Sequence, residues 1–373
     1  MSQLGQVLQG KRIVVCAGTG GVGKTTTSAA LALGAARHGL RVLVLTIDPS
    51  RRLAETLGVR RNTPEPIRLG SRREVDAGIT GPGALSAWML DPKLVSDATV
   101  RRLAGTSAEA DRLMANPIYQ HVTQMIAGMQ EYTAMEALHG FVEQGIYDLV
   151  ILDTPPSRNA LNFLEAPHRM AEFLDGRIFR MLLPKESGRV VGTTRKLVDM
   201  VLAGVFGEQF YGDLQVFFGA FSGMLAQLNG NAQRMRHRLQ QDDVTFLLVT
   251  TPAPEALGEA RFFEAKIHEL ELPLGAFILN RSQAPLANRP FPDEGLLPPG
   301  PTEHHRRALA KLVALAERER RQVEADVKLL SDLTSGSVGE VPAVALPEFG
   351  QGVEDIPGLA SLSRWLLDDM DGA

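Results

Sequence analysis

Cysteine is nearly absent from this chain: its 373 residues include a single one, Cys16. One cysteine excludes an internal disulfide, and it excludes a metal site built from several thiolates of the same chain. We therefore expect no zinc site of that kind. The scarcity of cysteine agrees with a reducing compartment, and we expect a cytoplasmic protein.

The sequence also lacks an excess of positive charge and a long apolar run. The net charge of −4 argues against binding to nucleic acid or to anionic lipid through bulk charge. The first twelve residues, MSQLGQVLQGKR, lack the apolar stretch of a signal peptide. Residues 214–228 form the most apolar long segment, which is shorter than the roughly 20 residues that a membrane-spanning helix needs. We expect a soluble protein with no integral membrane segment and no nucleic-acid partner.

Short apolar runs that end near glycine, proline or aspartate are present throughout the chain, and they predict buried parallel strands. The runs cover residues 12–18, 41–49, 147–156, 245–252, 275–281 and 341–347, with 84–92 as a less regular candidate. Helical patterns at 24–38, 255–271 and 303–332 separate most of them. This alternation predicts an α/β fold with a doubly wound, mostly parallel sheet, whose site lies at the carboxyl ends of the strands.

Two long helical stretches, residues 93–145 and 158–242, do not fit simple crossovers between strands. We expect them to form a helical subdomain on one rim of the sheet, within a single domain that covers residues 1–373. Residues 288–305, NRPFPDEGLLPPGPTEHH, are typical of an irregular surface loop.

The first predicted strand continues into the segment CAGTGGVGKTTT, residues 16–27. Residues 18–25 fit the phosphate-binding pattern G-x-x-x-x-G-K-[ST], between a strand and a helix as that motif requires. The glycines let backbone N–H groups approach phosphate oxygens, and the helix N-terminus adds the positive end of its dipole. Lys24 is then expected to reach the β- and γ-phosphates, and the Thr25 hydroxyl to bind Mg²⁺.

Three further polar side chains follow predicted strands. Asp153 ends the strand LVILD, where a carboxylate suits a Walker-B-like role and holds Mg²⁺ through water. Asp48 follows the second strand and would position the attacking water or contact Mg²⁺. The alternative for both aspartates is that they cap a turn. Asn280 offers an amide that can recognise an adenine edge, although asparagine is also common in turns.

Together these segments resemble the ArsA/Get3 family of P-loop ATPases, which belongs to the deviant Walker A class with MinD, ParA and nitrogenase iron protein. The similar segments are GTGGVGKTT, TIDPSRRLAETLG, MQEYTAMEAL (129–138), DTPPSRNALNFLEAP (153–167), ILNR (278–281) and VPAVALPEF. The resemblance covers almost the whole chain and implies an Mg²⁺-dependent ATPase that works as a dimer. ATP or ADP and Mg²⁺ are the implied cofactors.

By that resemblance, Asp48 orients the hydrolytic water, Asp153 lies near Mg²⁺, Asn280 contacts adenine, and Pro347 lies in the loop behind the base. The expected catalytic residues are Lys24 and Asp48, and the expected metal-binding residues are Thr25 and Asp153. The expected nucleotide-binding residues are Gly20, Gly21, Val22, Gly23, Lys24, Thr25, Thr26, Asn280, Arg281 and Pro347.

The sequence departs from the family pattern at Thr19, where relatives carry a second lysine that reaches the partner subunit's phosphates. A hydroxyl does not replace that cation. In this respect the chain is most similar to one subunit of the paired ArsA/Get3-like ATPases of actinobacteria. We therefore expect a homodimer or, more specifically, a heterodimer with a lysine-bearing paralogue. The cysteines that bind arsenite in ArsA are absent, which argues against an arsenite pump.

An apolar stripe at helical spacing suggests a further partner, an apolar client helix. Its residues are Leu214, Phe217, Phe218, Phe221, Met224, Leu225 and Leu228. Get3 relatives hold an apolar client helix in a groove lined with Met and Phe, and flexible Met side chains suit varied partners. Such stripes more commonly pack into the core. The remaining alternatives are a nucleotide-binding regulatory subunit with little turnover and a Get3-like carrier of apolar helices.

Overall fold

The computed structural model describes residues 2–46, 56–57, 63, 65–117, 119–120, 129–155, 207–337, 339, 341–349, 353 and 355–368. These residues form an eight-stranded sheet with the strand order β3-β4-β2-β5-β1-β6-β7-β8. All neighbouring strands are parallel except β3, which is antiparallel to β4. The strands are β1 Ile13–Gly18, β2 Arg41–Thr46, β3 Ile67–Arg68, β4 Ala84–Met89, β5 Leu149–Asp153, β6 Val244–Thr250, β7 Leu274–Leu279 and β8 Ala343–Ala345.

The α/β class and the mostly parallel sheet predicted from the sequence are confirmed, and each predicted apolar run overlaps a strand, although β6 and β7 begin one residue before their runs. The observed strands are shorter than the runs, because the ladder stops where the chain turns away at the sheet edge. The sequence did not predict β3, whose two residues are too few to show an alternating pattern.

The helices of the described residues flank this sheet. They are α1 Gln3–Leu8, α2 Lys24–Arg37, α3 Ser71–Asp76, α4 Pro92–Leu103, α5 Ser107–Ala115, α6 Met129–Gln144, α7 Glu208–Leu239, α8 Pro254–Glu269, α9 Glu303–Ser335 and α10 Ile356–Leu367. The loop expected at 288–305 contains a short 3₁₀ turn, Glu294–Leu296, and it ends where Thr302 caps α9. Of these described helices, none is long and apolar enough to cross a membrane.

The two faces of the sheet are covered by different kinds of side chain. On one face, α2 presents a run of small residues, and α10 packs closely against it. A Cβ atom added to Gly34 in this contact would lie 2.6 Å from Cδ1 of Leu367, so the Leu367 side chain packs directly over the glycine. On the other face, large side chains such as Trp88, Phe246 and Phe263 fill the core beneath α6 and α8. The small residues on the first face bring α2, which begins at the predicted phosphate loop, close to the sheet.

Helices α4 to α7 fall within the two stretches for which a helical subdomain was expected. A buried glutamate, Glu136 of α6, accepts hydrogen bonds from Arg102 of α4 and from Asn231 of α7, and so joins three helices. Met235 and Leu239 at the end of α7 also pack into the core on the sheet. Much of the second stretch, residues 156–206, lies outside the described residues, so the subdomain remains a prediction.

The backbone of the apolar stripe at 214–228 lies within helix α7. Phe217 is buried and Leu214 is half-buried, whereas the side chains of the other stripe residues lie outside the described part of the chain. The choice between a core stripe and a client groove therefore stays open.

Candidate functional site

The loop between β1 and α2 needs glycine at two of its positions. Gly18 has φ +153°, and a Cβ atom there would lie 2.1 Å from the carbonyl oxygen of Val249 in β6. Gly23, immediately before α2, has φ +93°, and its Cβ atom would lie 2.3 Å from Nδ2 of Asn280. A side chain at either position would displace a neighbour, in addition to the strain of a left-handed conformation at Gly23. The loop is therefore held closely against the ends of β6 and β7.

Lys24 is the first residue of α2, and its side chain folds back over the loop. Its Nζ donates a hydrogen bond of 2.7 Å to the carbonyl oxygen of Thr19, and the residue is 5% exposed. An ammonium group held in this way stands inside the arc of the loop, beside the backbone of Gly20–Gly23. The arrangement places a positive charge where a phosphate chain would lie against the helix N-terminus.

Asp153 is the last residue of β5, and its carboxylate joins three parts of the site. Its Oδ2 accepts hydrogen bonds from Thr25 Oγ1 of α2 at 2.7 Å and from Thr46 Oγ1 of β2 at 2.8 Å. Asp153 is fully buried and Thr46 is 1% exposed. The strand register explains the contact, because Asp153 lies directly beside Thr46 in β2 and beside Cys16 in β1.

Thr46 was not predicted as a site residue. The sequence carries one usable signal for it: it is a hydroxyl side chain in the last position of an apolar strand. The partner of that hydroxyl depends on which strand lies next to β2, and the strand order becomes known only from the fold.

Cys16 lies beneath this network and plays a packing role. Burial raises the pKa of its thiol to about 12, against a smaller lowering by the hydrogen bond with Ser28. The thiol therefore stays protonated at neutral pH, and a buried neutral thiol behaves as a small apolar side chain.

The predicted base-binding residues follow β7 and β8 at the same edge of the sheet. Asn280 donates through Nδ2 to the carbonyl oxygen of Val22 at 2.7 Å, and its Oδ1 accepts from the backbone N–H of Arg281 at 3.0 Å. Arg281 has a left-handed backbone, with φ +57°. Pro347 follows Leu346, whose carbonyl accepts from the backbone N–H of Ser282 at 2.8 Å. The structure thus brings Asn280, Arg281 and the Pro347 segment together beside the phosphate loop.

An open cavity of about 410 Å³ adjoins the loop. Thr19 and Arg281 both line it, together with two carboxylate side chains of α8, Glu255 and Glu259. The position where relatives carry their second lysine therefore faces a cavity with both negative and positive groups in its wall.

The predicted residues at this edge offer the donors that Mg²⁺ prefers, a hydroxyl from Thr25 and a carboxylate from Asp153. These two groups already contact each other, so they fit a magnesium ion held at the end of β5. Among the described residues, no group of three or more His, Cys, Asp and Glu side chains is placed to hold a metal by itself. Asp48 and residues 156–167 lie outside the described residues. The role of Asp48 in positioning water therefore remains a prediction.

Comparisons with known proteins indicate a family of ATPases. Residues 11–288 match the family model described as anion-transporting ATPase. ATPase GET3 of Phaeosphaeria nodorum is 25% identical over 75% of this chain and 79% of its own length. The putative arsenical pump-driving ATPase 1 of Aquifex aeolicus is 24% identical over 57% of this chain and 51% of its own.

An uncharacterized protein of Streptomyces coelicolor, SCO2128, is 33% identical over 47% of this chain and 40% of its own length. The chain thus spans about half the length, or less, of the Streptomyces and Aquifex relatives. The matched residues 11–288 include the phosphate loop, Asp153 and Asn280, and they leave out Pro347 and all of α9.

Proposed function

The chain belongs to the anion-transporting ATPase family, and from this membership we propose that it binds Mg-ATP and hydrolyses it as one subunit of a nucleotide-switched dimer. The observation that carries the proposal is the contact among Thr25, Asp153 and Thr46 at the foot of the phosphate loop. The carboxylate of Asp153 and the hydroxyl of Thr46 are buried there, and the half-buried hydroxyl of Thr25 joins them from a third segment. Burying such polar groups is costly unless they are paired.

Each described residue has a definite task in this proposal. Lys24 exchanges the carbonyl of Thr19 for the phosphate oxygens, and a charge-assisted bond of that kind is stronger than a bond to a neutral carbonyl. Thr25 and Asp153 would hold Mg²⁺, which supplies neutralisation of the phosphate charge when it is bound. Asn280, fixed between Val22 and Arg281, would present its amide to the adenine ring.

Water is the nucleophile in the proposed reaction, and the family resemblance assigns its orientation to Asp48. The bond between the γ-phosphorus and the bridging oxygen breaks as the water oxygen attacks, which yields ADP and phosphate. Catalysis of this kind depends on positioning and on charge stabilisation, so each missing cation lowers the rate.

Thr19 is the reason to propose a partner. Its side chain lies where a second cation is expected in relatives, and it lines the open cavity beside the loop. A lysine supplied by a paralogous subunit would restore the positive charge at this chain's nucleotide. We therefore propose a heterodimer with asymmetric sites, in which this chain alone turns over ATP slowly.

The family's name refers to anion transport, but we do not propose that this chain acts in an arsenite pump. Thiolate ligands for arsenite would need several cysteines, and the one cysteine of this chain is buried and protonated at neutral pH. A cytoplasmic ATPase that passes its nucleotide state to the helices α4–α7 fits the residues better. Whether those helices carry an apolar client depends on the stripe in α7.

A regulatory subunit that holds nucleotide without turning it over is the second candidate, and Thr19 favours it. One experiment separates the two: ATP turnover at saturating Mg-ATP by the purified chain, its Thr19→Lys variant and its Lys24→Ala variant. The proposal predicts turnover near the Lys24→Ala background for the natural chain. It predicts an increase of about a hundredfold for Thr19→Lys, because the second cation is regained in both sites of a homodimer.

Turnover by the natural chain far above the Lys24→Ala background would contradict the need for a second cation. If Thr19→Lys binds ATP and forms a dimer without any gain in turnover, the regulatory candidate is favoured instead.

A further inference from the structure

A carboxylate of helix α9 is buried directly behind the turn that carries Asn280 and Arg281. Asp326 is 2% exposed. Its Oδ2 accepts hydrogen bonds from Ser282 Oγ at 3.0 Å and from the backbone N–H of Gln283 at 2.7 Å. Its Oδ1 accepts from Nε2 of Gln322, one turn earlier in the same helix, at 2.9 Å.

Burying a carboxylate is unfavourable unless hydrogen-bond donors replace its water. Two of the three donors to Asp326 come from the turn after β7, and only one comes from α9 itself. Asp326 therefore contributes little to the stability of α9 itself. Its bonds fix the position of residues 282–283 relative to the sheet.

The turn needs such a support, because its backbone is strained. Arg281 has φ +57°, and the left-handed region is unfavourable for a residue other than glycine. On one side, Asn280 is tied to Val22 in the phosphate loop, and on the other, Ser282 is tied to Leu346 and to Asp326. Asp326 thus secures the far end of the segment whose near end faces the phosphate loop.

We propose that Asp326 is the positioning residue for recognition of the base. It holds the turn so that the amide of Asn280 stays beside the phosphate loop, where the adenine ring would bind. The residue lies outside the matched segment 11–288, so its assignment comes from the contacts seen in this chain. The inference rests on the proposed function, namely that ATP binds at this edge of the sheet. It predicts that Asp326 supports binding of the adenosine part and leaves binding of the triphosphate part unaffected.

The test compares two ligands, ATP and inorganic tripolyphosphate, each with Mg²⁺, by calorimetric titration. Asp326→Ala is expected to weaken ATP binding about tenfold, as expected for lost hydrogen bonds to a charged group, and to change tripolyphosphate binding by less than about twofold. Asp326→Asn keeps an acceptor for the turn and is expected to restore most of the ATP affinity. Asp332→Ala, which removes an exposed carboxylate from the same helix, is the matched control and is expected to match the natural chain.

A change in the ratio of the two affinities cannot come from a general loss of folding, which would weaken both ligands alike. Equal weakening of both ligands by Asp326→Ala, or no weakening of either, would overturn the inference. If Asp326→Ala does not fold, Ser282→Ala removes one of the two turn contacts from the other side. It should give a smaller loss, about threefold, that is again confined to ATP. A natural chain that binds neither ligand would instead overturn the proposed function, and the inference with it.

Discussion

Charged side chains differ in burial between the two ends of the parallel sheet. At the carboxyl end, Asp153 is fully buried, and its partners Thr25 and Thr46 reach it from two other segments. At the amino end, Arg41 at the start of β2 pairs with Asp148 just before β5, but their side chains are 50% and 37% exposed. Hydrogen bonds from Arg41 lower the pKa of Asp148, and both groups keep much of their water.

This difference in burial shows at which end of the sheet the fold bears the free-energy cost of removing polar groups from water. An exposed ion pair contributes little and can be replaced with little consequence. At the carboxyl end, Asp153 and Thr46 are buried away from water, so the hydrogen bonds of this cluster fix the geometry of its members. The polar groups at the carboxyl end are therefore held in a fixed arrangement, as the proposed ligand site requires, whereas the ion pair at the amino end stays in contact with solvent.

The largest expected effect on stability is at Gly23, where the phosphate loop meets Asn280. Gly23→Ala forces a Cβ atom to 2.3 Å from Asn280 Nδ2, in addition to a left-handed backbone. Asn280 must then leave the carbonyl of Val22, which breaks the contact between the loop and the base-binding turn. We expect a loss of roughly 2–4 kcal/mol in the free energy of unfolding, from backbone strain and a broken buried hydrogen bond. Urea unfolding measures it.

Gly21→Ala is the matched control for that variant. Gly21 also has a left-handed backbone, φ +79°, but a Cβ atom there would meet nothing within 4 Å. Only the backbone strain should remain, at about 1 kcal/mol. Equal destabilisation by the two substitutions would show that the contact with Asn280 has no energetic role.

A smaller effect is expected from the hydroxyl of Thr46. Thr46→Val keeps the size of the side chain but removes one of the two donors to Asp153 Oδ2. A less firmly oriented carboxylate should hold Mg²⁺ less well. The Mg²⁺ concentration that gives half-maximal ATP binding should then rise about fivefold, as expected for one hydrogen bond. Thr46→Ser retains the hydroxyl and should restore the natural Mg²⁺ dependence.

The opposite end of the sheet supplies a control for this substitution. Thr245 is an equally buried threonine near the start of β6, 1% exposed, far along the strand from the phosphate loop. Thr245→Val should leave the Mg²⁺ dependence of ATP binding unchanged, whatever its effect on the free energy of unfolding. A shift in Mg²⁺ dependence of the same size in both valine variants would remove the distinction between the two ends.

The sequence was sufficient for features that short segments encode by themselves. The phosphate loop, all the described strands except β3, and α2 were predicted because their residues follow one another in a fixed pattern, as in GTGGVGKT. Asn280 was a candidate for the same reason, since it directly follows an apolar run. The close contact of its amide with Val22 and Gly23 was not foreseen, because it joins residues more than 250 positions apart.

Thr46 and Asp326 show what the sequence could not reveal. The role of Thr46 depends on β2 lying beside β5, and that of Asp326 on α9 packing behind the turn after β7. Either residue alone is an ordinary threonine in a strand or an ordinary aspartate in a charged helix. Helix α10 was likewise not predicted, although Leu359 and Leu366 on it are fully buried against the sheet.

The central claim is that the carboxyl end of the sheet binds a nucleotide triphosphate through Lys24. Calorimetric titration of ATP into the natural chain and into Lys24→Ala, with and without Mg²⁺, tests it most directly. The account predicts binding by the natural chain that is strengthened by Mg²⁺, and an affinity about a hundredfold lower in Lys24→Ala, because a charge-assisted bond to the phosphates is lost. Equal ATP affinity in the two proteins, whether Mg²⁺ is present or absent, would contradict it.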